Sequence, residues 1–172
     1  MFSSKNRLDK AYKVAKVIPF NNASKFILFS DCHRGDNSFA DDFANNRNIY
    51  FHALNHYYSE GFDYAELGDG DELWENLSFT PILEAHKNVY LLMKLFHEQN
   101  RLHMIWGNHD MVYRDPAYVK KYLSTYFDPK VGENVALFCD LTYHEAIILK
   151  HSETHQELFL THGHQADSWN YT

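Results

Sequence analysis

The chain has 172 residues and a formal charge of −7, from sixteen basic and twenty-three acidic side chains. That balance argues against a nucleic-acid backbone or an anionic membrane as main partner, since both need a basic footprint. It leaves small phosphorylated substrates open, because bound metal ions can reverse a site's field.

The length fits one domain with a full apolar core. Cys32 and Cys139 are too few for a disulfide framework and lack zinc-finger spacing, so a reducing cytoplasm is the simplest setting. No apolar segment approaches membrane-spanning length, and the N-terminus lacks an apolar signal core. Twelve histidines make metal binding worth testing.

Residues 5–17 place Leu8, Tyr12 and Ala15 at helical spacing among basic positions, which predicts an amphipathic helix packed on the domain and ended by Pro19. Phe26-Ile27-Leu28-Phe29 reads as a strand too uniformly apolar to be an edge. It runs into Ser30-Asp31-Cys32-His33-Arg34, where extended geometry would point Asp31 and His33 to one side. A carboxylate and an imidazole on one face suit half of a divalent metal site, although Asp-x-His alone also fits a solvated loop. Asp41-Asp42 are expected to open a helix carrying Phe43, Tyr50, Leu54 and Tyr57 toward the core and closing at Gly61. His52 and His56 on that helix have metal-binding spacing but no third ligand, and read as surface or packing residues.

Tyr64 to Leu67 reads as a second strand, giving way to Gly68-Asp69-Gly70-Asp71-Glu72. Its glycines allow close backbone approach, and its crowded carboxylates would repel one another unless a cation were bound. A helix is expected from an N-cap at Thr80, with Pro81 in the first turn, to about Gln99. Met104-Ile105-Trp106 then forms a third buried strand that stops at Gly107-Asn108-His109-Asp110. Strand, helix, strand, helix, strand predicts a parallel sheet, so Asp31/His33, Asp69 and Asn108/His109 should meet on one rim.

After Pro116 a helix is expected to about Tyr126, then strands over 134–139, 141–150 and 157–160. Successive strands without helices imply a second, antiparallel or mixed sheet. It ends at Thr161-His162-Gly163-His164, again with two imidazoles two residues apart.

In this order, Asp-x-His at 31–33, Gly-Asp-x-x-Glu at 68–72, Gly-Asn-His-Asp at 107–110 and the strand-end His162 resemble the calcineurin-like metallophosphoesterase family. The resemblance spans residues 26–167 and implies an α/β fold, the αββα sandwich. It implies two divalent ions (manganese, iron, zinc or nickel), with Asp31 and His33 on the first, Asp69 bridging, and Asn108 and His162 on the second. It implies His109 as proton donor or transition-state stabiliser, Asp110 as its orienting partner, and hydrolysis of a small or nucleotide-like phosphate ester. Arg34 could bind a phosphate oxygen or simply face solvent. The His-Gly-His-Gln-Ala-Asp ending is similar to the branch containing the UDP-diacylglucosamine pyrophosphohydrolases.

The family's further Gly-His-x-His motif has no counterpart before Thr172. His162-Gly163-His164 has its glycine in the wrong place, and under a rival assignment His144 or His151 is the fourth-motif ligand. The expectation is a single domain, 1–172, truncated at its C-terminus: first sheet complete, second partial, metal held weakly. Apolar surface left uncovered would favour a homodimer. The competing reading is a non-catalytic binding module on the same fold; a nuclease is disfavoured by the acidic balance.

Overall fold

The computed structural model describes residues 4–167. Helix α1 (Ser4–Val14) ends before the β-branched run Val17-Ile18, which instead forms strand β1 (Lys16–Phe20). The helix expected to reach residue 17 is therefore shorter, and Pro19 sits inside a strand. It is tolerated because β1 is an edge strand that, among the described residues, pairs only with β8 (Ala146–His151), and an edge strand can spare a donor.

The chain then enters β2 (Phe26–Phe29), α2 (Arg47–Ser59), β3 (Asp63–Leu67), α3 (Phe79–Ala85), α4 (Lys87–Glu98) and β4 (Leu102–Ile105). After a 3-10 turn at 111–114 come α5 (Pro116–Leu123), the antiparallel hairpin β5 (Thr125–Asp128) and β6 (Glu133–Ala136), and then β7 (Tyr143–His144). The first sheet has the order β2-β3-β4-β7, all parallel. β2 is its edge, with Leu28 40% exposed, so an apolar run taken for a central strand lies at the border instead. The second sheet is mixed: β8 lies between parallel β1 and antiparallel β9 (Glu157–Thr161).

Several boundaries differ from the pattern in the sequence. Asp41 does not open α2; its carboxylate caps a separate turn, accepting from the backbone N–H of Phe43 and Ala44, and α2 starts at Arg47. The single helix expected over 80–99 is broken at His86 into α3 and α4. Asp115 caps α5 by accepting from Ala117 N–H, with Pro116 in the first turn, and α5 stops at Leu123 rather than near Tyr126. The expected strand 141–150 divides at Glu145: β7 completes the first sheet and β8 crosses to the second.

Helices α2 to α5 cover one face of the first sheet, where Tyr50, Leu54, Phe96, Met104 and Leu123 share the main core. Each such side chain contributes on the order of 1.5–3 kcal/mol through burial. The other face meets the second sheet through Ile105, Ile147 and Leu149, with Phe26, Leu67 and Leu160 against them. α1 packs on β8, and its Tyr12 ring meets Phe159 edge-on at 5.5 Å. The layers thus run helices, sheet, sheet, helix. No helix of the described residues is long and apolar enough to cross a membrane.

Candidate metal centre

Parallel pairing continues beyond the strands and fixes the rim. Asp31 N–H donates to Gly68 O (3.1 Å), His33 N–H to Asp69 O (2.9 Å) and Arg34 N–H to Gly70 O (2.9 Å). Yet Asp31, His33 and Asp69 all adopt positive φ, at 54°, 48° and 51°, so the backbone is not extended there. Left-handed conformations are uncommon for residues with a Cβ, though Asp and His reach them more readily than most. The bends turn Asp31 and His33 to different sides of Asp69 rather than to one.

Two groups of metal-ligating type result, each with ligand atoms within 4.8 Å of one another: His33, Asp69 and His109, and Asp31, Asp69 and His162. Asp69 belongs to both. It can sit between them because Gly107 passes beside it; a Cβ there would lie 2.1 Å from Asp69 Oδ1. The same Oδ1 accepts from His109 N–H at 2.8 Å. Burial raises the Asp69 carboxyl, but hydrogen bonds from His162 and the His109 backbone outweigh it and hold its pKa below the ordinary value.

Donor chemistry fixes the imidazoles. His33 Nδ1 and His109 Nδ1 lie 2.9 and 2.7 Å from the same oxygen, Glu72 Oε2. A carboxylate only accepts, so both rings donate from Nδ1, and His33 in its neutral form carries its lone pair on Nε2. That Nε2 lies 3.8 Å from Asp69 Oδ2. Burial opposes the Glu72 charge, yet the bonds from His109 and His33 prevail and lower its pKa. His162 donates from Nδ1 to Leu67 O (3.0 Å), which leaves Nε2 facing Asp69 Oδ2 and Asn108 Oδ1, each at 3.1 Å. In neutral His162 three lone-pair atoms would face one another; a proton on Nε2 or a cation among them removes that repulsion. Burial disfavours the proton, but Asp69 and then Asp31 raise the His162 pKa overall. This donor set of carboxylate, amide oxygen and oriented imidazoles fits a divalent cation of borderline type.

Asp31 falls in the His162 group rather than with His33, and two other assigned roles change. Asp110 does not orient His109: its buried carboxylate accepts from Gly107 N–H (2.6 Å) and Gly70 N–H (2.9 Å), tying two rim loops together. Burial, with the charges of Asp71, Asp69 and Glu66 and against the Gly107 hydrogen bond, pushes its carboxyl up to about 7. The partner of the His109 ring is Glu72, and Trp74 stacks on the ring with centroids 3.8 Å apart. Arg34 cannot meet a phosphate. It is wholly buried, forked onto Glu66 (2.6 and 2.7 Å) and bonded through Nε to Asp71 (2.8 Å). Asp71 in turn accepts from Tyr90 and Tyr113, so its charge is met by protein rather than by a cation.

Glu72 was visible in the sequence as the last residue of Gly-Asp-x-x-Glu; only its job was unassigned. Trp74 had no signal there. Neither His144 nor His151 joins a donor group among the described residues, whereas His162 does. His164 is buried beside Trp106, where burial first, and then the charge of His162, push its imidazole down to about 4.

Compared with known proteins, the chain matches no family model, no curated protein and no solved structure. The resemblance to metallophosphoesterase motifs is therefore one of sequence pattern.

Proposed function

We propose that this chain is a metal-dependent phosphoesterase of the calcineurin-like kind, hydrolysing a phosphate ester with water. The observation that carries the reading is Asp69, shared by two His/Asp groups contributed by loops from four separate parts of the chain. The layering of two sheets between helices is compatible with that family's αββα sandwich, and the motif order supports it.

Asp69 with His33 on one side, and with Asp31, Asn108 and His162 on the other, would hold two cations such as manganese, iron, zinc or nickel. Such cations supply Lewis-acid stabilisation of the phosphoryl charge and lower the pKa of the attacking water. His109 lies with His33 and Asp69 in one donor group, and the motif order gives it proton transfer rather than a place on a cation. Glu72 holds Nδ1, Trp74 covers one ring face, and Nε2 makes no hydrogen bond among the described residues. In the hydrolysis the water oxygen bonds to phosphorus as the bond from phosphorus to the leaving oxygen breaks. His109 gives its Nε2 proton to that oxygen, and the proton released by the water restores the ring. Glu72 accepts from Nδ1 in either charge state, so the imidazole keeps its orientation throughout.

The test is hydrolysis of p-nitrophenyl phosphate and bis-p-nitrophenyl phosphate by the purified chain with added manganese. His109→Ala should lower kcat by about 10²–10⁴-fold, the usual contribution of a positioned general acid, while metal content stays unchanged. Inactivity of the unaltered chain at full metal loading would contradict the proposal and leave a non-catalytic binding module on this fold.

A further inference from the structure

A cleft of about 390 Å³ opens directly on His33 and His109, between the loop at 35–42 and the loop at 72–76. If His109 protonates the leaving oxygen, the leaving group must lie on the His109 side of the phosphorus. The cleft is the space available to it there. Its charge is one-sided: no lysine or arginine lines it, and Arg34, the nearest basic residue in sequence, is buried on Glu66 and Asp71. Of its acidic residues, Asp41 is paired with His86 and Glu72 with the two imidazoles. Asp36, Asp42 and Glu75 form no ion pair among the described residues and stay at the cleft wall. Trp74, next to Glu75 in the chain but not among the residues lining the cleft, stacks on the lining residue His109 and is 58% exposed.

We infer that the cleft receives a positively charged leaving alcohol, so that the substrates are phosphate esters of amino alcohols rather than pyrophosphates or nucleotides. This rests on the phosphoesterase reading and narrows it. Cations held at Asp69 would neutralise the phosphoryl group under attack, but a second anionic group in the cleft would face three carboxylates with no lysine or arginine among the lining residues to meet it. The repulsion from each carboxylate adds to that from the others, so the discrimination compounds over the three residues. A cationic alcohol gains where an anionic one loses.

The experiment compares phosphoethanolamine, glycerol 3-phosphate and 2-phosphoglycolate, whose leaving groups are cationic, neutral and anionic, with p-nitrophenyl phosphate alongside. With manganese, kcat/KM should fall in that order, by about tenfold or more between the extremes. Glu75→Lys should narrow or invert the order, and so should Asp42→Lys; both positions are exposed, so the fold is retained. Raising ionic strength should flatten the order in the unaltered chain, because exposed charges are screened over about 10 Å at 0.1 M salt. Hydrolysis of p-nitrophenyl phosphate with no charge preference, or with a preference for phosphoglycolate, overturns this inference alone. Failure on all four esters while bis-p-nitrophenyl phosphate is hydrolysed also overturns this inference alone; failure on all five overturns the phosphoesterase reading and this inference with it.

Discussion

Arg34 is a wholly buried cation that joins two buried carboxylates beneath the rim. Its guanidinium lies under the candidate centre between Glu66 and Asp71, both buried, and the Tyr64 hydroxyl donates to Glu66 as well. Removing one member of a buried charge network leaves the others uncompensated, typically at 3–5 kcal/mol. Arg34→Met should therefore lower unfolding free energy by about that amount in a denaturant titration. A change below 1 kcal/mol would mean that water or a rearranged side chain already serves the two carboxylates. A second residue-scale prediction concerns His86, buried against Asp41 with Nε2 at 2.8 Å. Burial lowers its pKa, and the Asp41 hydrogen bond only partly offsets this. The unfolded chain therefore binds a proton below about pH 6.5 that the folded chain refuses, so stability is full above that value and lost as pH falls. His144 and His164 are shifted in the same direction. His86→Gln should reduce, without abolishing, the loss of stability between pH 7 and pH 5; an unchanged slope would contradict the assignment.

At the scale of elements, the glycines of the rim loops matter more than the strands that carry them. Gly107 leaves room for Asp69, and a methyl group there would collide with both the Asp69 carboxylate and its backbone nitrogen, 2.5 Å away. Gly107→Ala should displace Asp69 and abolish manganese binding in calorimetry while leaving the helices of the first layer intact by circular dichroism. Unaltered binding would show that Asp69 is not needed where the structure puts it. The elements also mark how far the sequence could be read. Apolar runs located β2, β3 and β4, because burial demands them wherever the strands end up. They could not say that β2 lies at an edge, since edge position depends on which strands arrive beside it. Residues 141–150 look like one strand because the apolar pattern does not record which sheet a residue joins, and the crossing at Glu145 is decided by packing. The break at His86 was hidden for a similar reason: its partner, Asp41, is forty-five residues away. At the site, residue types and order identified Asp31, His33, Asp69, Asn108, His109 and His162 as a group that meets. The roles of Arg34 and Asp110 were not legible, because a charged residue beside a motif reads the same whether it faces solvent or turns under the sheet.

For the whole molecule, the central question is whether these loops assemble a cation site. The sheets place Asp31, Asp69, Asn108 and His162 together although they are drawn from opposite ends of the chain, and the protein's own hydrogen bonds leave acceptor atoms facing one another there. Some partially exposed apolar side chains, Leu28 and Leu158 among them, lie on strands of both sheets, and the described residues do not cover them. The decisive measurement is X-ray diffraction with anomalous scattering at the manganese edge, on crystals of the chain grown with manganese, beside crystals of Asp69→Ala treated alike. Two anomalous peaks flanking the Asp69 carboxylate, one toward His33 and one toward His162, both lost in the variant, are the predicted result. Manganese found elsewhere, or no peak within bonding distance of Asp69 at full soaking, would contradict the shared-carboxylate centre and the chemistry proposed for it.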